Sequence, residues 1–156
     1  MFGKNGLVGT TFAAYNPRGR SVGGMLRVAT MILILIVRTI HLAVYIARSA
    51  INARIAALVV GCIFGFLGTI FVAFSLAQLG AAQGKRRALG INWGRWHFDI
   101  ILGLTLVVAA VLMIFSLITG GRNRNNGFFS AWCIQWVFIS LFAWIAAKPG
   151  TTESYV

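Results

Sequence analysis

Acidic residues are almost absent from this sequence, in which Asp99 and Glu153 are the only two among 156 residues. Histidine and cysteine are equally scarce, with two of each. Cys62 and Cys133 fall within apolar runs and are predicted to be ordinary buried thiols rather than a disulfide. No group able to transfer a proton or bind a metal has its usual partners at a useful spacing. The sequence therefore predicts a protein that is not an enzyme and has no cofactor.

Charge of either sign is also rare. Only 10% of residues are charged, whereas 59% are hydrophobic and the mean hydropathy is +0.86. A soluble domain of this size needs more charge to cover its surface. Four apolar runs are each near the ~20 residues that cross a bilayer, at 28–47, 55–79, 98–119 and 128–147. Because hydrocarbon offers the backbone no hydrogen-bond partners, the runs predict an all-α integral membrane four-helix bundle.

The segments outside these runs are short and basic. Residues 1–27 are predicted to be a flexible cytosolic arm without a cleavable signal, 28–147 the transmembrane domain, and 148–156 a short cytosolic tail. Nine Lys and Arg residues lie in the arm, the loop at 80–97 and the tail, against four at the other helix ends. Because the more basic side faces the cytosol, both termini are predicted to be cytosolic.

One cation interrupts the first apolar run. Arg38 lies within ILILIVRTIHLAVY, and His41 follows one helical turn later. Arg38 is 10 or 11 residues from the flanking arginines, which places it roughly 15 Å from either end of the helix. Exposing an arginine to lipid costs about 3 to more than 10 kcal/mol, so the side chain should face the bundle. Its predicted partners are Gln135 at a similar depth, backbone carbonyls and, through water, Asp99.

The intramembrane polar cluster of Arg38, His41, Asp99 and Gln135 has three interpretations. It is a structural contact that fixes helix packing, a pathway for ions or protons, or a contact with a lipid headgroup or partner. Buried membrane charge often marks function. Conduction and proton relay usually use an embedded acid, however, and none lies near the centre of this bundle. The structural interpretation is therefore favoured, and the other two stay open.

Small residues recur every four positions along the second run. The small-residue ladder comprises Ala53, Ala57, Gly61, Gly65, Thr69, Ala73 and Ala77. Such spacing lets another helix approach closely, and close packing drives helix association in lipid. The ladder predicts that the second helix is the main packing helix. Packing within the chain is favoured, and contact with a second copy or another protein stays open.

A basic loop joins the second and third runs. Its basic residues are Lys85, Arg86, Arg87 and Arg95, interleaved with tryptophans. Setting the topology is the simplest role, and contact with anionic headgroups is the more specific one, because each basic residue near an anionic leaflet contributes about 1 kcal/mol. The basic residues flank apolar segments and form no continuous face, which argues against nucleic acid. The predicted partners are membrane lipids, with self-association or a membrane protein partner.

Three segments resemble the MARVEL-type four-helix membrane proteins, particularly the small fungal ones. They are LRVATMILILIVRTIHLAVY, GRWHFDIILGLTLVVAAVLMIF and AWCIQWVFISLFAWIAA. Arg27 introduces the first helix, the aromatic residues before Asp99 are similar to the family's Trp-Asp start, and the third segment resembles its aromatic fourth helix. The resemblance covers about residues 24–147. It implies membrane apposition, lateral organisation or vesicle traffic, with cytosolic termini and no enzymatic activity.

The predicted function is therefore that of a tetraspan scaffold in a eukaryotic plasma membrane or endomembrane, which organises lipids or partner proteins. Tetraspanins and claudins fit less well because they need a large, cysteine-bearing outer loop. The alternative is a small channel, a transporter or an accessory subunit of a larger membrane complex. In that case Arg38 and His41 would lie in a polar pathway or a partner interface.

Overall fold

The computed structural model describes residues 7–17, 21–82, 86–118 and 126–147. Within these ranges the chain is mostly helical, with one short β-hairpin. The elements are α1 (Leu7–Ala14), α2 (Val22–Ile51), α3 (Ile55–Ala81), β1 (Arg86–Ala88), β2 (Ile91–Trp93), α4 (Arg95–Ile118) and α5 (Asn126–Ala147). The hairpin is an addition to the predicted all-α class.

Three helices are long and apolar enough to span a membrane: Val22–Ile51, Ile55–Ala81 and Arg95–Phe115. A shorter apolar stretch, Ile134–Ala147, belongs to α5. The prediction of helices long and apolar enough to cross a membrane is therefore confirmed for three runs, which is consistent with a multi-pass membrane protein. The fourth crossing and the cytosolic position of the termini stay predictions.

The four long helices pack in the cyclic order α2, α3, α5, α4, so that α2 and α5 lie diagonally opposite. Fully buried apolar side chains from all four helices fill the space between them: Met31, Ile34, Leu76, Leu79, Phe98, Leu102, Ile139 and Ile145. The outward faces are apolar as well, with Leu33, Phe66 and Val107 largely exposed. A surface of this kind is stable in hydrocarbon, whereas in water it would cause aggregation.

The helix boundaries differ from the predicted ones mainly at the starts. Helix α2 begins six residues earlier, at Val22, because the Ser21 side chain accepts a hydrogen bond from the Gly24 N–H at 3.4 Å and caps the helix. Helix α4 begins at Arg95 rather than at residue 98. Helix α3 begins where predicted and continues two residues further, to Ala81.

Part of the segment predicted to be a flexible arm, residues 1–27, is helical in the structure. Helix α1 packs against α3, and the Tyr15 hydroxyl donates a hydrogen bond to the Ala73 carbonyl at 2.6 Å. Burial raises the pKa of the Tyr15 phenol above its usual range, so the hydroxyl stays protonated and can donate this bond. Residues 7–17 are therefore part of the folded structure.

The loop between α3 and α4 contains the β1–β2 hairpin, which the sequence did not predict. The strands are antiparallel, with Ala88 opposite Ile91. The two turn residues, Leu89 and Gly90, have φ angles of 54° and 75°, as a type I′ turn requires. Glycine adopts this left-handed conformation readily, whereas for leucine it costs about 1 to 2 kcal/mol.

Candidate functional site

A buried polar contact joins two diagonally opposite helices. Arg38 on α2 is 3% exposed, and its Nη1 donates a hydrogen bond to Oε1 of Gln135 on α5 at 2.6 Å. Gln135 is 7% exposed. The predicted contact between these residues is thus present. Because it crosses the bundle between helices that are not neighbours in the cyclic order, it needs a side chain as long as that of arginine.

His41 lies one turn beyond Arg38 on the same helix, and its side chain is half-buried. A further buried hydroxyl, that of Thr105 on α4, donates to the Ile101 carbonyl of its own helix at 2.7 Å. Such local bonds satisfy a hydroxyl inside hydrocarbon without a partner on another helix. The interior therefore contains an interhelical polar contact, between Arg38 and Gln135, and a hydroxyl bonded within its own helix, that of Thr105.

Asp99 lies elsewhere in the structure, at the start of α4. Its carboxylate accepts two hydrogen bonds from Arg27 on α2, from Nε at 2.7 Å and from Nη2 at 2.8 Å. The structure places Asp99 against Arg27, whereas the sequence had suggested a water-mediated link to Arg38. Arg27 lies at the same end of α2 as the start of α4, whereas Arg38 is 11 residues further on, about 16 Å along the helix.

Arg95 completes a polar network at this end of the bundle. Its Nε lies 3.7 Å from the Asp99 carboxylate, and its guanidinium donates hydrogen bonds to the carbonyls of Gly80, at 2.6 Å, and Ala82. A cation at the C-terminal end of a helix satisfies carbonyls that have no partner within the helix. The end network of Arg27, Asp99 and Arg95 therefore joins α2, α3 and α4.

Arg95 was predicted to face anionic lipid, and the structure gives it this internal role instead. Of the other basic residues in the loop, Arg87 is exposed. Lys85 and the side chain of Arg86 lie outside what the structure describes. Of the residues predicted to face lipid, Arg87 is therefore the one that the structure describes as exposed.

The small-residue ladder packs within the chain in the middle of α3. A β-carbon on Gly61 would come within 2.5 Å of the Tyr45 ring, and one on Gly65 would meet Leu42 even more closely. Both neighbours belong to α2. The two glycines therefore permit the close approach of α2 and α3.

The other ladder positions have different surroundings. Ala77 is buried, and the Thr69 hydroxyl donates to the Gly65 carbonyl at 2.9 Å. The Ala73 carbonyl accepts the hydrogen bond from the Tyr15 hydroxyl, and Ala57 is half-buried. Ala53 is exposed and lies outside α3, in the turn after α2, with a φ of 51°. The ladder thus has six members on α3, because the chain reverses direction at Ala53.

Sequence reasoning missed Arg27 as the partner of Asp99. A usable signal was present, since both residues lie at the starts of helices on the same predicted side of the membrane. Gln135 was predicted to contact Arg38 because the two residues lie at a similar depth in the membrane. The same comparison of depths makes Arg27 a partner for Asp99.

Cys62 is a free, half-buried thiol, and the side chain of Cys133 lies outside the described part of the chain. In the part that is described, no group of three or more His, Cys, Asp or Glu residues could hold a metal ion. No protein-family model matches this chain, and no curated protein or solved structure matches it either.

Proposed function

We propose that this protein is a non-enzymatic tetraspan membrane protein that organises membrane lipids or partner proteins. The observation that carries the proposal is the position of Arg38. Its guanidinium is covered by the chain's own helices and bonded to Gln135. An internal contact of this kind fixes the relative positions of α2 and α5, and it leaves the apolar outer faces available for lateral contacts.

The distribution of charge supports an orientation for the bundle. The end network brings together the start of α2, with Arg27, the end of α3 and the start of α4, with Arg95. The hairpin that carries Arg87 connects α3 to α4 at this end, and the turn with Arg54 lies at the opposite end. The more basic end faces the cytosol. A cytosolic N-terminus follows, in keeping with the resemblance to the small MARVEL-type proteins of membrane apposition and vesicle traffic.

The rival function is that of a small channel, a transporter or an accessory subunit. It requires Arg38 to face a water-filled path or an acidic residue of another chain. The 3% exposure of Arg38 favours the organiser, because an external partner could reach the guanidinium only by separating the helices that cover it.

The test is the composition of the particle extracted in mild detergent, read by native mass spectrometry for wild type and Arg38→Leu. The exposed Arg54→Leu variant is the matched control. We expect a monomer or homo-oligomer with bound anionic lipid, and no other protein at a fixed ratio, in all three. Reconstituted vesicles should show no ion flux above that of empty vesicles. A fixed-ratio complex with another membrane protein, lost only in Arg38→Leu, would contradict the proposal.

A further inference from the structure

The tip of the β1–β2 hairpin has a backbone conformation that is unfavourable for leucine, and it exposes apolar side chains that would be unfavourable in water. Leu89 has a left-handed φ of 54°, and its side chain is 69% exposed. Ile91, just after the turn, is 51% exposed. Asparagine or glycine fits this turn position far better in water. A leucine here is therefore explained more readily by an apolar environment around the tip than by the turn itself.

The two faces of the hairpin differ. One face packs against the bundle: Ala88 is 4% exposed, and the Trp93 ring meets Phe142 of α5 with centroids 5.6 Å apart. The other face carries Arg87 and Asn92, which are opposite each other in the register and both exposed. The hairpin is thus held at the end of the bundle, with a basic residue on its free face.

A third exposed apolar side chain follows the hairpin in the chain. Trp96, in the first turn of α4, is 72% exposed. Tryptophan is enriched at the depth of lipid headgroups, where its ring is partly apolar and its N–H can find a polar partner. The end of the bundle at which α4 begins therefore has the composition of a membrane–water interface.

We propose that the tip formed by Leu89, Gly90 and Ile91 is a membrane anchor that enters the headgroup region of the surrounding leaflet, with Arg87 on the phosphates of anionic lipids. The inference rests on the proposed function in one respect, that the protein lies in a membrane with this end on the cytosolic side. It deepens the predicted contact of the basic loop with anionic lipid, because it assigns that contact to Arg87 and adds the apolar tip.

Charge and size favour lipid over a protein as the occupant. The chain carries a net charge of +12, and a cytosolic leaflet is rich in anionic lipid. A stable protein interface buries about 800 Å² on each partner, far more than two side chains at a turn offer. Two apolar side chains and one arginine are, in contrast, sufficient to position a short loop in a headgroup layer.

The experiment reads the depth of the tip in the full chain. A single cysteine replaces Ile91 in a Cys62→Ser, Cys133→Ser background and carries an environment-sensitive fluorophore. Asn92→Cys, on the free face of the hairpin, is the matched control. Each labelled protein is placed in nanodiscs of phosphatidylcholine with or without phosphatidylserine. Quenching by aqueous iodide and by nitroxide-labelled lipid is then compared.

With phosphatidylserine present, we expect the label at residue 91 to be blue-shifted, quenched by nitroxide lipid and protected from iodide, and the label at residue 92 to stay open to iodide. Arg87→Gln should lower the ratio of inserted to exposed tip about fivefold in these discs, the equivalent of ~1 kcal/mol for one basic residue. Leu89→Asn should move the residue-91 label into water. Because Asn-Gly is the favoured type I′ turn, this variant keeps the hairpin folded while removing the apolar side chain.

Equal iodide quenching at residues 91 and 92 would overturn the proposal, and so would an unchanged depth in Leu89→Asn. Protection of residue 91 in a detergent particle that holds a second protein would show a protein partner at the tip, and it would overturn the proposal too. The organiser is tested by whether a fixed-ratio partner is lost in Arg38→Leu, a change far from the tip, so failure of the anchor and failure of the organiser are separable.

Discussion

Two arginines on the same helix satisfy their charge in different ways. Arg38, in the middle of the bundle, is 3% exposed and bonds to a neutral amide. Arg27, eleven residues earlier, pairs with a carboxylate through two hydrogen bonds, and the side chains of that pair are 16% and 40% exposed. The acid is thus found where water can reach, and the amide where it cannot.

The difference follows from the cost of removing charge from water. A carboxylate in the middle of the bundle would have to be desolvated along with the guanidinium, and that cost can exceed the attraction between them. An amide oxygen is a good acceptor and loses less hydration energy. In the middle of the bundle the cation is therefore bonded to a neutral amide, and at the end the cations belong to a charged network that water partly solvates.

Removing the amide should have the largest effect. Gln135→Leu deletes an acceptor from a buried cation, and we expect the free energy of unfolding to fall by about 3 kcal/mol. The double variant Arg38→Leu/Gln135→Leu buries neither the charge nor its acceptor, and it should recover most of this loss. Both are measured by reversible unfolding with sodium dodecyl sulfate in mixed micelles.

Ile134→Leu, at the exposed position next to Gln135, is the control and should leave the free energy of unfolding unchanged. If the double variant were no more stable than Gln135→Leu, the cost would come from packing around residue 135. The comparison between the two arginines would then lose its electrostatic basis.

A packing change in the middle should come second. Gly65→Ala places a methyl group against Leu42, and overpacking of this kind costs about 1 to 3 kcal/mol. Gly103→Ala is the matched control, because a β-carbon there meets no atom within 4 Å, and alanine should stabilise α4 by about 0.5 to 1 kcal/mol. Opposite signs in the same unfolding assay are the expected result. Equal values would mean that α2 and α3 are not packed tightly at Gly65.

Breaking the end network should have the smallest effect. Asp99→Asn removes the charge opposite Arg27 and Arg95, and for a partly exposed pair we expect a loss of about 1 kcal/mol. Because salt screens solvent-exposed charges, the loss should shrink as sodium chloride is raised. The loss in Gln135→Leu should be insensitive to salt. If the loss of stability in Gln135→Leu depended on salt, water would have to reach Arg38. The distinction between the two sites would then be removed.

Much of the helical framework could be predicted from the sequence, because apolar runs of membrane-spanning length have few alternatives in hydrocarbon. The contact of Arg38 with Gln135 followed from matching depths along two helices. The hairpin was missed because its strands are three residues long and Leu89-Gly90 lacks the usual Asn-Gly signal. Helix α1 was missed because its Gly-rich, polar surroundings resemble those of a flexible arm.

Matching depths make Arg27 and Asp99 possible partners, but depth alone does not decide which helix ends are adjacent. The cyclic order of the helices decides that. The same limit applies to Arg95, whose partners on α3 become apparent only once the hairpin brings the start of α4 to the end of α3.

The bond between Tyr15 and Ala73 has a consequence for the order in which the molecule is made. The two residues are 58 positions apart, so the ribosome releases the N-terminal segment well before its docking position on α3 exists. Although residues 7–17 are synthesised before α2 and α3, they reach their final position only after both helices have formed. The point during translation at which residues 7–17 become protected from added protease would therefore show when α2 and α3 have packed together.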